Sequence, residues 1–288
     1  MSTEKRNESY MLKQSRYSKG KKNVKQYSKN NASKKGGSGK NSYNAYYKKN
    51  DDGFQLKSNG KSNYGKKKYP SKSKGYSKKN TQKPSIKIAF LGGLNEIGKN
   101  ITLVECENDI IIIDCGMAFP DGDMLGVDLV IPDFTYIEQN ADRVKGIILT
   151  HGHEDHIGGL PFLLSKVNVP IYGTPLTLGL VGNKLKEHSL YNKTQLNVIN
   201  AGQSIKLGCM KIDFIHVNHS IPDAVAFAIH TPGGTIVHTG DFKIDCTPIT
   251  GDMIDLSSFA RVGDEGVLAL LAESTNAERP GYTPTERT

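Results

Sequence analysis

Three of the chain's eight histidines fall within six positions, in the segment His151-Gly152-His153-Glu154-Asp155-His156, and all eight lie after residue 150. Imidazole nitrogen and carboxylate oxygen are ligand types that Zn²⁺ accepts alongside thiolate. Four such groups in six residues can converge on one small volume. A chance His-x-His is common. His-x-His-x-Asp-His directly after the apolar run Ile147, Ile148, Leu149 is not, and this sets aside an exposed loop merely enriched in histidine. The first chemistry the spacing suggests is therefore metal binding, with Zn²⁺ or Mn²⁺ open because nitrogen and oxygen ligands take both.

The elements that must position this loop begin after Pro84, where the composition changes. Strands are expected at residues 86–91, 100–106, 109–115, 146–150, 169–172, 196–200, 211–217, 224–230 and 235–239, from apolar and β-branched runs bounded by turn residues. Asn108-Asp109 marks a hairpin between the second and third. Helices are expected at 134–140, about 157–166 and 175–188. The histidine segment sits where the 146–150 strand ends and a helix starts. About 200 residues suffice for one sizeable core. Strands first, then mixed strands and helices, suggest helices packed outside two sheets.

The histidine pattern resembles the signature of the metallo-β-lactamase fold, an αββα sandwich that holds one or two metals at a sheet edge. The further motifs of that family are matched in order by Asp114 after a run of isoleucines, by His219 after Val217, and by Asp241 after Thr239-Gly240. The resemblance covers roughly residues 86–275. It implies that His151, His153 and His219 hold one metal, that Asp155 and His156 hold a second, and that Asp241 bridges them. Asp114 is then a carboxylate behind the ligands that orients them. Two ions about 3.5–4 Å apart can share a hydroxide and make a nucleophile at neutral pH. They also neutralise charge that builds on a phosphodiester, which puts Asp155 and Asp241 at the reacting centre. The remaining histidines carry blander readings: His216 as a sheet-face residue in period with Ile212 and Phe214, His238 as a packed strand residue beside the Asp241 turn, His188 and His230 without motif support. Glu154 reads as a flanking charge.

Residues 92–100 (Gly-Gly-Leu-Asn-Glu-Ile-Gly-Lys-Asn) have phosphate-loop spacing, but Asn100 stands where Ser or Thr should bind Mg²⁺. A strand rather than a helix is expected to follow, so no helix N-terminus cradles a phosphate. The same residues, with 219–224, 238–243 and 273–281, look most like bacterial ribonuclease J of the β-CASP group. That likeness implies a metal-dependent ribonuclease that cuts RNA internally and from the 5′ end, prefers a 5′-monophosphate and leaves 5′-phosphates. It also implies a role in rRNA maturation and mRNA decay, RNA as partner, a homo-oligomer for the full-length enzyme, and the ribosome or an RNA helicase as further candidates.

Residues 1–83 hold 22 Lys and 2 Arg against four acids, a charge of +20, whereas the remaining 205 residues hold 14 basic and 25 acidic side chains, a charge of −11. The asymmetry excludes a single uniform domain. The segment has three branched aliphatic residues but nine of the 13 Tyr, too little apolar surface to offset its ordering entropy, and is read as disordered. Lys offers charge to phosphates and Tyr a face for unpaired bases, so blocks such as Lys66, Lys67, Lys68 and Tyr69 are candidate nucleic-acid contacts. A solubilising extension remains the alternative. The fold class expected is thus α/β: the first part of a metallo-β-lactamase αββα sandwich, preceded by a disordered basic tail. The division is residues 1–84 extension, 85–279 core, and 280–288 the start of a β-CASP-like domain, which residues 283–286 open with a capping-box spacing. The family's later histidine lies beyond that domain, so the second metal site is incomplete in these residues, and they are expected to act weakly or not at all alone. The four Cys form no C-x-x-C and the N-terminus has no apolar leader run, pointing to a reducing cytoplasm. No apolar run approaches the ~20 residues a membrane helix needs. Two other readings stay open: a hydrolase of small esters, thioesters or lactams on the same fold, and a non-catalytic RNA- or ribosome-tethering module. Nucleases of the eukaryotic β-CASP branch, acting in pre-mRNA 3′-end formation or DNA repair, are a further alternative, disfavoured by residues 95–100 and 273–281.

Overall fold

The Val/Ile-rich segments after Pro84 build the sheet that carries the histidine loop. The computed structural model describes residues 46–50, 53–57, 83–249, 251–282, 284, 285 and 287. By contacts the chain forms two units, Met1–Tyr76 and Ser77–Thr288. In the first, β1 (Tyr46–Asn50) and β2 (Gly53–Lys57) pair antiparallel, with Tyr47 opposite Leu56 and Lys49 opposite Phe54. This strand pair falls within the extension read as disordered; the rest of residues 1–82, with Lys66, Lys67, Lys68 and Tyr69, lies outside the described residues.

In the second unit, β3 (Ile86–Gly92), β4 (Ile101–Cys106), β5 (Asp109–Ile113), β6 (Val144–Ile148), β7 (Ile171–Gly173) and β8 (Leu196–Val198) form one sheet in sequence order. The first three pair antiparallel, and β5 to β8 run parallel. Parallel neighbours need crossovers, and helices supply them: α1 (Thr135–Gln139) before β6, α2 (Glu154–Ile157) and α3 (Leu160–Leu164) before β7, and α4 (Pro175–Glu187) before β8. β5 is buried along Ile110, Ile111, Ile112 and Ile113, the continuous apolar run of a strand covered on both faces.

The second sheet has the order β13-β12-β11-β10-β9. Its strands are β9 (Ser204–Leu207), β10 (Met210–His216), β11 (Val225–Thr231), β12 (Gly234–His238) and β13 (Ala269–Leu271). The two sheets face each other over Val104, Ile111, Ile113, Phe214, Phe227 and Ile236. Phe214 and Phe227 meet edge to face, with centroids 5.2 Å apart. α1, α3 and α4 cover the other face of the first sheet through Ile137, Leu160, Leu163 and Val181. Across the second sheet, α5 (Leu256–Glu265) contributes Val262 against Ile215, Ala226 and Ala228. The four layers are the αββα sandwich expected. β13 forms an edge on which Leu268 and Leu270 are 63% and 64% exposed. Among the described residues, no helix is long and apolar enough to cross a membrane.

Some elements differ from expectation. β9, β13 and α5 are not among the expected elements: two are strands of three or four residues, and α5 mixes polar residues such as Ser257, Ser258, Arg261 and Asp264 with few apolar ones. The single helix expected at 157–166 is two, because Gly158 and Gly159 pack against neighbouring loops. An added Cβ on Gly159 would lie 2.6 Å from the Gly116 carbonyl oxygen.

On β4, Glu105 is buried under a cluster of partners. Lys87 Nζ and Arg143 Nη2 lie 2.9 and 2.8 Å from Oε1, and Tyr136 Oη donates to Oε2 at 2.8 Å. Burial alone would raise its pKa. The hydrogen bonds from Lys87, Arg143 and Tyr136 win and hold it at about 2 against 4.5 normally. A depressed carboxylate stabilises the fold above its unfolded pKa, and the contribution fades as pH falls from about 4.5 towards 2. Glu105→Gln should therefore cost about 2 kcal/mol at pH 7, allowing for the solvent around Lys87. Urea unfolding should show the gap between variant and wild type closing towards pH 2; a gap independent of pH would contradict this.

Candidate metal centre

The site forms where adjacent parallel strands end. Ile113 of β5 pairs beside Ile148 of β6, so the residues that follow, Asp114 and 149–151, emerge side by side. Carboxyl ends of parallel strands are the usual place for ligands in open α/β sheets. Asp114 has a left-handed backbone (φ 59°), which Asp tolerates better than most residues. This turn sends its carboxylate into the core, where Oδ1 accepts from the Thr150 N–H (2.8 Å) and Oδ2 from the Thr150 hydroxyl (2.7 Å). Oδ2 also lies 2.8 Å from His156 Nδ1. Thr150 leaves the β6 ladder early to make these contacts, and its carbonyl accepts from Val225 N of β11 at 2.9 Å, joining the two sheets at the site.

Three loops are stitched together around the histidines. Cys115 N donates to His156 O (2.8 Å), Gly116 N to Asn100 O (2.9 Å), and Asn100 N to Asp155 O (3.0 Å). The loop at 92–100 joins β3 to β4, and its Lys99 ammonium pairs with Glu96 at 3.0 Å. β4 follows it, not the helix that a phosphate loop requires.

From the second sheet come His219, just beyond β10, and Asp241, just beyond β12. Asn218 braces the first of these, donating to Asp252 O and accepting from Ile254 N, both at 2.8 Å. Gly240 (φ 56°) turns the chain before Asp241, and its N–H donates to His238 Nδ1 at 3.1 Å.

Five of the residues singled out in sequence form two overlapping groups here. The ligand atoms of His151, His153 and His219 lie within 4.8 Å of one another, and so do those of His151, His156 and Asp241. His153 Nδ1 is 3.0 Å from His151 Nε2 and 3.2 Å from His219 Nε2. Asp241 Oδ2 stands between the groups, 3.5 Å from His156 Nε2 and 3.7 Å from His219 Nε2. Asp155 belongs to neither group: it sits at the rim, with Oδ2 3.5 Å from His156 Nε2. The other histidines are elsewhere or only adjacent. His188 packs on Phe162, His216 lies 3.0 Å from Asp252 O, and His230 pairs with Asp213. His238 braces the Asp241 turn rather than offering a ligand. Lys184 holds Glu154 away at 2.9 Å.

Burial, then the neighbouring His156, push the His151 pKa down to about 2, so this imidazole is neutral with its lone pair free. Burial also lowers His219. For His156 burial is outweighed by Asp114 and Asp241, which raise it to about 10, and His156 in turn helps hold Asp241 at about 2 despite burial. A metal at His156 Nε2 would displace a proton there while Nδ1–H stays on Asp114. Imidazole nitrogens and a carboxylate brought within 4.8 Å of one another are the donor set of a transition-metal site. A cleft of about 750 Å³ opens beside them, lined among others by Phe90, Asn100, Asp155, Asp241 and Glu273.

Sequence reasoning assigned no role to Thr150, Asn100 or Gly116. Only Thr150, a polar residue closing an apolar strand before a ligand, carried a readable signal.

Residues 94–271, more than half of the chain, match the Metallo-beta-lactamase superfamily. Ribonuclease J 1 of Streptococcus pyogenes serotype M3 is 50% identical over 202 residues, covering 70% of this chain and 36% of that protein. Ribonuclease J2 of Bacillus subtilis is 49% identical over 209 residues (73% and 37%). Ribonuclease J of Thermus thermophilus is 50% identical over 208 residues (70% and 36%). The chain spans little more than a third of the length of these relatives. The superfamily match spans both ligand groups, and the chain belongs to the metallo-beta-lactamase superfamily, with a stretch homologous to ribonuclease J.

Proposed function

We propose that this chain is the metal-holding part of a ribonuclease of the J type, which hydrolyses RNA phosphodiesters from the 5′ end and internally, leaves 5′-phosphates, and works in the cytoplasm. What carries the reading is the pair of ligand groups sharing His151 inside a stretch 50% identical to Ribonuclease J 1. His151, His153 and His219 would hold one ion, His156 and Asp155 the other, with Asp241 between them; Zn²⁺ suits the set and Mn²⁺ is compatible. Bound there, two divalent ions supply an acidified water and positive charge against a phosphodiester in its transition state.

The chain's own residues prepare that site. Burial keeps His151 neutral at any physiological pH. Asp114 fixes which nitrogen of His156 faces the cleft. Asp155, at the rim, would contribute to the second ion and face the substrate. The body at −11 repels RNA and the extension at +20 attracts it, so Lys66, Lys67, Lys68 and Tyr69 are proposed to gather substrate that the cleft then orients.

The test is cleavage of a labelled 5′-monophosphate RNA with Zn²⁺ or Mn²⁺. It compares this chain, a version extended to the length of its relatives, and the extended Asp241→Ala variant. Mononucleotide release is expected from the extended protein, abolished by Asp241→Ala and by chelation, and weak or missing from the 288 residues alone. Failure of both unmutated forms to cleave would return the weight to small-ester hydrolysis.

A further inference from the structure

We infer that Asn100 is a positioning residue for the second metal, acting through Asp155; the inference rests on the metal centre proposed above. Asn100 is fixed at three points. Its N–H donates to Asp155 O at 3.0 Å, its carbonyl accepts from Gly116 N at 2.9 Å, and its side-chain Nδ2 donates to Asp155 Oδ2 at 3.1 Å. Nδ2 also lies 3.1 Å from His156 Nε2. Only one of the two side-chain contacts survives once an ion takes the Nε2 lone pair. The bond to Asp155 is compatible with the ion, since a carboxylate that accepts one hydrogen bond keeps lone pairs with which it would ligate.

This matters because Asp155 is the one expected ligand that the fold does not already bring into a ligand group. It is partly exposed, with 37% of its side chain accessible, and Asn100 Nδ2 at 3.1 Å holds its carboxylate more closely than His156 Nε2 at 3.5 Å, a nitrogen the ion itself would take. An unheld carboxylate at the rim would lose side-chain freedom on binding an ion. Holding it beforehand moves that cost into folding.

The loop at 92–100 is built to aim this amide. Asn100 Oδ1 packs against Gly93, where an added Cβ would lie 2.4 Å away, and Gly93 has φ 80°. The glycine is thus the back wall of the amide, and its replacement should turn Asn100 without removing any polar group. The loop that resembles a nucleotide-binding turn becomes, on this reading, a bracket for a metal ligand.

The test is stepwise titration of metal-free protein with Co²⁺, followed by visible absorption and calorimetry, for wild type, Asn100→Ala and Gly93→Ala. Wild type is expected to take up two ions, the second more weakly because its ligand set is incomplete in these residues. Both variants should bind the first with unchanged affinity and spectrum. The second should bind roughly 10- to 100-fold more weakly, the usual cost of losing a group behind a metal ligand, with altered d–d bands. Thermal unfolding of the metal-free proteins separates a loosened fold from a misplaced ligand, since loosening would weaken both ions together. Two unchanged binding events in Asn100→Ala, loss of both ions alike, or a wild type that takes up a single ion would each overturn the inference. A wild type that binds no metal would overturn the proposed function as well.

Discussion

An Asp114→Ala variant is expected to lose about 3–5 kcal/mol of stability, the usual cost of removing one member of a buried charged network. The carboxylate is 2% exposed and satisfies three groups at once: the Thr150 N–H, the Thr150 hydroxyl and His156 Nδ1. Alanine leaves the buried backbone N–H without its acceptor and the imidazole without its counter-ion. Asp114→Asn should behave differently. Oδ1 still accepts from Thr150 N, but the amide now donates where the carboxylate accepted. His156 must turn Nδ1 into an acceptor and carry its proton on Nε2, the nitrogen needed for a metal. The Asn variant is therefore expected to fold with modest loss and to bind its second ion at least tenfold more weakly. Urea unfolding and metal titration of the two variants check this; an Asn variant with full metal affinity would refute the tautomer argument.

Gly116→Ala carries the second large effect. The added methyl would sit 1.6 Å from the Asp155 carbonyl oxygen and 2.9 Å from Asn100 N. Both neighbours are backbone, so no rotamer change relieves the clash, and the three loops must part. That breaks Cys115 N to His156 O and Asn100 N to Asp155 O. A loss of more than about 3 kcal/mol is expected, seen as a fall in Tm of roughly 6–12 °C in the metal-free protein. Metal uptake should fall in parallel, because Asp155 and His156 move with the displaced strand of backbone. A change in Tm of about one degree would show that the loops have slack that their contacts do not suggest.

The ligands were legible because they obey local rules. His151, His153 and His156 are close in sequence, and each of Asp114, His219 and Asp241 follows an apolar strand, so the chemistry and the strand pattern agree. The hairpin of β4 and β5 was legible too, since Asn108-Asp109 stands as a turn between two apolar runs. Asn100 and Gly116 were not, because their roles come from contacts between loops 16 or more residues apart in sequence. Nothing in a lone asparagine after a glycine-rich turn says that its amide will meet a carboxylate 55 residues later. The short strands β9 and β13 were hidden for a related reason. Three or four residues give no period to read, and they become strands because β10 and β12 offer edges to pair with.

The site draws on both layers of the sandwich: His151, His153 and His156 leave the first sheet, His219 and Asp241 the second. Any ion held between them is consequently a cross-link. It closes a loop of 90 residues, from His151 to Asp241, and in entropic terms acts on the unfolded chain as a removable staple. During synthesis the histidine loop emerges early but gains its partners only when β12 has been made and docked. An ion held there would bind only once the two sheets have met.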